Sequence, residues 1–515
     1  MDSSRSVLHS AKHFFFGTLL SRFSGLMRDM SMAFCFGSTP EVAAFMVAYR
    51  LANLCRRLFG EGNIQAGFVP HFEQLKAESN QAAARFYRDS AWSMSIVFLG
   101  VVVLLEAFLA LLHSQLPEDW KFITKLAMWM VPGLFFICLY SLHTAILQCQ
   151  KKAFWSGFAP VAFNFAWIAA AFLSTGQHDP MRWLSIGITV AFGFQWLLTA
   201  WQVRKELKDK ISWADWMRPH LFTGEWRSLL KPMALGIIGV GAMQINSALD
   251  AIFSQLADPS GPAFLWYAIR IQNLPLALFG IGLARALLPP LARAEQQNNP
   301  LQFQTLLAGG LKHMQALIIP CTFGLFALGL AGINLLFGRG DFSGEDVRST
   351  LDCLLAYGVG LLPSVLVFVL SQGHYAKKNY RTPSFSSLVA VGVNVLLNAW
   401  LVFGLHWGAP SIAVATSLSA WVNYFILSHT LKAPTLFDAF FWKISLASAV
   451  AAAASLMSRA IWVDSLPREF SEQIIQFSTA ATLFLGSLLG MAKWLGITEL
   501  FELVKKPRTV DPGSI

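Results

Sequence analysis

The sequence is poor in charged residues, which make up 13% of its 515 positions. A soluble globular protein carries about 25% charged residues, so the composition excludes that class. Hydrophobic residues make up 55%, and the mean hydropathy is +0.51. The apolar runs are long, unlike the short alternating segments of a membrane β-barrel. We therefore expect an all-α polytopic membrane protein.

Several chemical motifs are also missing from the sequence. It has no Walker A phosphate loop, so we expect no ATP as a direct energy source. It has no acidic cluster of the DDxxD kind, and no basic run with interleaved aromatics that would form a nucleic-acid groove. The six cysteines fall mostly in apolar segments, which is typical of packing residues rather than disulfides or metal ligands. We expect no cofactor and assign no metal.

Long apolar segments predict about 14 transmembrane helices, each with roughly the length needed to cross the hydrocarbon layer. Their approximate positions are 11–35, 41–70, 90–113, 124–149, 153–175, 182–203, 228–256, 262–291, 308–337, 348–373, 383–405, 409–431, 438–462 and 473–497. Lysines and arginines gather in alternate connections, beginning with Lys76, Arg85 and Arg88. Positive loops stay in the cytoplasm, which predicts cytoplasmic termini and an even number of spans.

An internal repeat supports the same count. Arg50–Pro70 recurs as Arg270–Pro290 at an offset of 220 residues, and Lys151-Lys152 recurs as Lys377-Lys378 at an offset of 226. We predict two six-helix lobes related by a pseudo-two-fold axis along the membrane normal, with a cavity between them. The N-terminal lobe is placed at 1–204, a cytoplasmic linker at 205–227, the C-terminal lobe at 228–432, and a helix pair with a basic tail at 433–515.

The first two spans each carry one polar stripe on an otherwise apolar helix. At 100° per residue each stripe covers an arc of about 100–120°. The stripes contain Ser21, Arg22, Gly25, Arg28 and Asp29 in the first span, and Arg50, Asn53, Arg57, Gly60 and Glu61 in the second, with Arg56 at the edge. An arginine at mid-bilayer costs about 2.5–3.5 kcal/mol or more. We therefore expect the stripes to face a hydrated cavity.

The chemistry of these stripes suits an anionic head group. A guanidinium is planar, permanently charged and able to fork onto phosphate oxygens. The hypothesis is a diphosphate clamp, with Asp29 and Glu61 as charge-pairing or gating groups. The alternative is that arginines near span ends reach the interface or pair internally, which applies first to Arg50 and Arg56.

Four stretches together resemble the MurJ (MviN) family of lipid II flippases, within the multidrug/oligosaccharidyl-lipid/polysaccharide exporter superfamily. They are SRFSGLMRD (Ser21–Asp29), NLCRRLFGEG (Asn53–Gly62), FVP (Phe68–Pro70) and LWYAIR (Leu265–Arg270). The resemblance implies fourteen helices in two lobes plus a C-terminal pair. It also implies transfer of an undecaprenyl-diphosphate-linked peptidoglycan precursor from the inner to the outer leaflet.

Family residues of the central cavity carry over to seven positions. The substrate-binding candidates are Arg22, Arg28, Arg56, Arg57 and Arg270, and the charge-pairing candidates are Asp29 and Glu61. Two positions depart from the family pattern, since Ala43 and Ile269 stand where an acidic residue is common. That removes the support for gating by carboxylates at those positions.

A second candidate site consists of oxygen-bearing side chains in the later spans. Asn394 and Asn398 are at i and i+4 on one helix face, with Asp250 and Thr416 in neighbouring segments. Such oxygens suit a sodium ion, and the alternative is an interhelical hydrogen-bond network. Coupling to Na⁺, to H⁺ or to the membrane potential stays open.

The leading hypothesis is a lipid II flippase working by alternating access in the bacterial inner membrane, with both termini cytoplasmic. It is a transporter and not an enzyme, and it binds lipid II and membrane lipids but no nucleic acid. We expect a monomer, with cell-wall synthesis proteins as candidate contacts. Two competitors are a related exporter of another polyprenyl-linked glycan or an amphiphilic drug, and a membrane enzyme acting on polyprenyl diphosphates.

Overall fold

The computed structural model describes residues 4–59, 63–458 and 466–502. Within these ranges the chain is helical and contains no strand, which confirms the predicted all-α class. Contacts divide the chain into two compact units, Met1–Ala263 and Phe264–Ile515. The predicted domain boundaries at 204 and 228 come from the internal repeat and stay a prediction, because this division groups helices by packing alone.

The first unit is built from ten helices among its described residues. They are α1 (Ser4–Phe36), α2 (Pro40–Phe59), α3 (Asn63–Glu78), α4 (Asn80–His113), α5 (Glu118–Met130), α6 (Gly133–Cys149), α7 (Ala153–Ser174), α8 (Pro180–Leu207), α9 (Trp213–Trp216) and α10 (Gly224–Ala257). Helix α1 packs along α7, and α8 packs on both α6 and α7. Helix α10 packs against α2 and α3.

The second unit contains the remaining helices. Starting at the boundary, it contains α11 (Gly261–Pro275), a π-helical turn (Leu276–Gly280), α12 (Ile281–Gln296), α13 (Pro300–Phe337), α14 (Gly344–Val359), α15 (Leu361–Ala376), α16 (Arg381–Ala399), a second π-helical turn (Trp400–Gly404), α17 (Pro410–Leu431), α18 (Ala439–Met457), α19 (Phe470–Trp494) and α20 (Glu499–Glu502). Helix α17 packs on α15 and α16, as α8 packs on α6 and α7. Helices α18 and α19 pack on each other and on α13.

Each of the predicted spans overlaps one helix or a consecutive broken set of helices. By length and composition, nine helices in the described part of the chain are apolar enough to cross a membrane, or ten if the bent pair α5–α6 forms one span. Helix α2 falls outside this set because Glu41, Arg50, Arg56 and Arg57 lie within its 20 residues. The count of fourteen spans therefore stays a prediction.

The fourth and tenth predicted spans, 124–149 and 348–373, are both broken. Helices α5 and α6 meet at an angle of 43°, and α14 and α15 meet at Gly360. A break leaves backbone carbonyls without a helical partner, and in a membrane these must find another donor. Thr189 of α8 donates to the carbonyl of Trp129 at 2.7 Å, and Ser417 of α17 donates to the carbonyl of Ala356 at 2.7 Å. Equivalent helices thus cap equivalent breaks.

Two side chains of α4 form hydrogen bonds with the backbone of the connection between α8 and α10 and so hold it in place. Arg88 donates to the carbonyl of Asp215 at 3.0 Å, and Asp89 accepts from the amide of His220 at 2.9 Å. Arg88 is also paired with Asp89 at 2.7 Å and is only 4% exposed. Arg88 is one of the cations that predict a cytoplasmic connection, and in the structure its side chain holds the connecting segment in place.

Candidate functional site

The polar stripe of α1 centres on Arg28, whose guanidinium is bonded on several sides. Its Nε and Nη2 atoms donate to Oδ1 of Asp29 at 3.1 and 2.8 Å. Its Nη1 atom donates to Oδ1 of Asn164 at 3.2 Å. Its Cζ atom lies 4.5 Å from the centre of the Trp167 ring, which is cation–π distance. Arg28 and Asp29 are 8% and 2% exposed, so this is a buried ion pair completed by α7.

Two members of this cluster, Asn164 and Trp167, are not among the residues predicted from the sequence. Asn164 and Trp167 lie on α7, about one helical turn apart. Asn164 is a polar residue within the apolar run AFNFAW. Polar groups inside membrane spans need partners, so its position alone could have identified it as a candidate. Nothing in the local sequence distinguishes Trp167 from the other tryptophans, because its role depends on which helix packs against α7.

Arg22 and Arg57 differ from Arg28 in being exposed. Arg57 donates from Nη1 to Oε1 of Gln244 at 3.2 Å, which joins α2 to α10. Arg22 and Asp29 are seven residues apart on α1 and so lie near one face of that helix. The side chain of Arg56 and all of Glu61 lie outside the described residues. Gln244 is a further site candidate that only the structure reveals.

Arg270 belongs to the second unit and lies on α11. Its Cζ atom is 4.3 Å from the centre of the Trp266 ring, one turn earlier on the same helix. Arg28 and Arg270 thus share a feature, since each guanidinium is placed against the face of a tryptophan. An aromatic face orients a planar guanidinium while leaving its edge donors available for oxygen acceptors.

Three of the four cation-site candidates form one network. Asn398 donates from Nδ2 to Oδ1 of Asn394 at 3.0 Å, and Asn394 donates from Nδ2 to Oγ1 of Thr416 at 3.4 Å. Both asparagines are buried, at 1% or less exposure. Asp250 lies on α10 in the first unit and accepts from Asn246 at 3.4 Å. Amide and hydroxyl oxygens fit a hard cation, but these contacts also match the alternative of a hydrogen-bond network.

Of the arginine candidates described in the first unit, Arg28 is buried and bonded on several sides, and Arg22 and Arg57 are exposed. Such a set can bind an anion through charge-assisted hydrogen bonds. Among the described residues, no group of three or more His, Cys, Asp or Glu side chains is placed to hold a metal ion.

Comparison with known proteins gives a consistent result. A family model described as "Lipid II flippase MurJ" matches residues 32–481. A protein described as "Probable lipid II flippase MurJ" from Chlamydia pneumoniae is 29% identical, over 98% of this chain and 95% of the relative. One from Vibrio cholerae with the same description is 30% identical, over 94% of each chain. The similarity thus extends over nearly the whole length of both proteins.

Solved structures are similar in fold. One described as "Lipid II flippase MurJ, inward closed conformation" has a TM-score of 0.74 and 24% identity, over 94% of this chain and 99% of the other. An inward-facing multidrug resistance MATE family transporter of the MOP superfamily has a TM-score of 0.60 and 15% identity, over 80% of this chain and 94% of the other. Both likenesses concern the arrangement of the helices.

Proposed function

The chain belongs to the lipid II flippase MurJ family, and from that premise we propose that it moves lipid II from the inner to the outer leaflet of the bacterial inner membrane. The observation that carries this proposal is the family match across residues 32–481 of 515. The family is one of lipid transporters, so the chain is not an enzyme. The cargo is a peptidoglycan precursor linked to undecaprenyl diphosphate.

The diphosphate is held by arginines in this proposal. Arg22 and Arg57 are exposed and can meet an anionic group directly, while Arg28 is buried and pre-oriented by Asp29, Asn164 and Trp167. Guanidinium groups bind phosphate oxygens through two parallel hydrogen bonds, which gives geometric selectivity as well as energy. Arg56 and Arg270 are further candidates on the strength of the sequence.

The transport cycle proposed is alternating access, in which binding the anionic head group shifts the balance between two conformations. The membrane potential supplies about 2.3 kcal/mol per charge per 100 mV and can drive a return step. The network of Asn394, Asn398 and Thr416 is the candidate for Na⁺ coupling, and H⁺ is the other candidate ion.

An exporter of cationic drugs is the competing function, because the MATE transporter shares the fold. A site for an organic cation is expected to present carboxylates. Arg22 and Arg57 present positive charge instead, and Asp29 is occupied by Arg28. The charge of the described site therefore favours an anionic cargo.

The test is replacement of the resident flippase in a bacterium depleted of its own. The wild-type chain should restore growth, and Arg57→Ala should reduce lipid II in the outer leaflet at least about tenfold, since losing one charge-assisted hydrogen bond costs roughly 1.5–3 kcal/mol. The readout is the amount of lipid II accessible to an external enzyme, at matched protein levels. Arg218→Ala, which removes another exposed arginine, is the control and should transport normally. Failure of the wild-type chain to transport lipid II overturns the proposal.

A further inference from the structure

Arg28 has two hydrogen-bond partners, and Asn164 is easier to replace than Asp29. Its two bonds to Asp29 are charge-assisted and include one of 2.8 Å. Its single bond to Asn164 is longer, at 3.2 Å, and the acceptor is a neutral amide. The bonds to both partners have an ionised donor, but only Asp29 also carries the opposite charge, which adds electrostatic attraction. An arriving phosphate oxygen would therefore displace Asn164 from Nη1 before it displaced Asp29.

The orientation of the Asn164 amide is fixed from its other end. Its Nδ2 atom donates to Oγ of Ser24 at 2.9 Å and to the carbonyl of Ser21 at 3.2 Å. Ser24 itself donates to the same carbonyl at 3.0 Å, so its oxygen is available as an acceptor. A flipped amide would place NH₂ against the guanidinium, where only an acceptor is compatible. Asn164 thus presents its oxygen to Arg28 as a consequence of two bonds to α1.

Trp167, which lies against the face of the guanidinium, is also fixed by its neighbours. Trp167 is fully buried, and its Nε1 atom donates to Sδ of Met32 at 3.2 Å. Tyr49 and Phe163 pack edge-on against it, with ring centres 4.8 and 5.6 Å away. Because the ring cannot move without disturbing α2 and α7, the guanidinium plane keeps its orientation when one edge donor changes partner.

We propose that Asn164 is a positioning residue that holds Arg28 through Nη1 in the absence of cargo and yields this donor to the diphosphate when cargo arrives. This proposal rests on the proposed function. In it, Asn164 competes with the diphosphate for Nη1 of Arg28. The bond to Asn164 keeps a buried donor satisfied in the empty protein, which would otherwise cost free energy. It also sets how tightly the cargo binds, because every binding event must break it.

The competition predicts that two substitutions at one position act in opposite directions. In Asn164→Ala no acceptor competes for Nη1, so the affinity for a diphosphate should rise, by about threefold or more. In Asn164→Asp the acceptor becomes a carboxylate, the bond becomes a salt bridge between opposite charges, and the affinity should fall at least about tenfold. A residue that only supports the fold would change the affinity in the same direction in both variants.

The experiment measures binding of undecaprenyl diphosphate to the purified full-length chain in lipid nanodiscs, together with the thermal midpoint of each variant. Asn379→Asp is the charge control, because Asn379 caps α16 through Thr382, where an aspartate also serves as a cap. Its affinity should equal that of the wild type.

Opposite shifts for the two Asn164 variants support the proposal. Equal or parallel shifts overturn it while leaving the proposed function standing, provided that the wild type binds and Arg28→Ala weakens binding. Absence of binding by the wild type, or unchanged binding by Arg28→Ala, instead contradicts the arginine clamp itself.

Discussion

Arg28 shows how a permanently charged side chain is accommodated inside a helical membrane protein. Adjacent residues on a helix do not normally face one another, yet the long arginine side chain turns back to reach Asp29. The pair is buried, so its stability depends on the completeness of its hydrogen bonds rather than on attraction alone. Asn164 and Trp167 complete it from α7.

Removing the carboxylate should therefore be far more damaging here than at a surface pair. Asp29→Asn leaves a buried guanidinium without its counter-charge, and we expect a loss of about 3–5 kcal/mol in the free energy of unfolding. Glu73→Gln is the control, because Glu73 and Lys76 form a pair at 3.5 Å with side chains 48% and 26% exposed. Such pairs contribute about 0–1 kcal/mol. Chemical unfolding in detergent measures both, and similar losses would contradict the buried-pair interpretation.

The sequence predicts part of this cluster and misses the rest for a physical reason. Helical periodicity places Arg28 and Asp29 on one polar stripe, because that relation is local. Asn164 is 136 residues away along the chain, and periodicity does not say which neighbouring helix a stripe will meet. The expectation that the stripe faces a hydrated cavity stays a prediction, and Arg28 itself is buried between α1 and α7.

At the scale of helices, the hydrophobic pattern predicts the spans but not the breaks within two of them. The apolar segment 124–149 reads as one span, but Pro132 lacks an amide hydrogen and the chain bends between α5 and α6. The segment 348–373 breaks at Gly360, three residues before Pro363, which likewise lacks an amide hydrogen. Hydropathy averages over a window, so it detects the apolar span and not the interruption within it. The capping by Thr189 and Ser417 depends on packing and could not be predicted.

Glycine is required where these breaks meet their capping helices. A Cβ atom on Gly360 would lie 2.7 Å from the backbone Cα of Ser417. We expect Gly360→Ala to lower the free energy of unfolding by about 1–3 kcal/mol through overpacking. Gly392→Ala on α16 is the matched control, since a Cβ there meets nothing within 4 Å. That control should be neutral or stabilising by up to about 1 kcal/mol, because alanine favours a helix.

The same comparison can be made in the first unit. A Cβ on Gly133 would lie 2.7 Å from the Phe192 ring, and one on Gly100 would meet nothing within 4 Å. We expect Gly133→Ala to have a lower thermal midpoint than Gly100→Ala, as Gly360→Ala is expected to be less stable than Gly392→Ala. If the Gly133→Ala and Gly100→Ala variants have the same thermal midpoint, the close approach of α8 does not restrict the size of the side chain at position 133.

For the molecule as a whole, part of the pairwise packing of the helices recurs in the second half of the chain. Helices α3, α6 and α8 form the chain of contacts that α12, α15 and α17 form in the second unit. The repeat offset near 220 residues predicts this arrangement from the sequence, because both pairs of landmarks lie at equivalent points. The terminal pair α18 and α19 has no counterpart in the first unit, as expected from its position beyond the repeat.

Membrane orientation is the prediction that belongs to this scale. Six spans before the α8–α10 connection place that connection in the cytoplasm and the α7–α8 loop outside. Gly176→Cys in that loop should react with a membrane-impermeant maleimide in intact cells, whereas Lys208→Cys at the end of α8 should react only after permeabilisation. Both positions are exposed, so accessibility depends on the side of the membrane. The reverse pattern would contradict the cytoplasmic termini, and labelling of both in intact cells would contradict a single span between the two positions.

The hydroxyl-capped breaks carry a consequence for the history of this protein. Thr189 with Gly133, and Ser417 with Gly360, are the same device at corresponding points of two copies. Duplication of a half-length gene would place the same joint in both halves of the chain, which is the arrangement found here. The charged residues are unevenly distributed between the two copies, so the joint is shared by the halves and the candidate ligand chemistry is not.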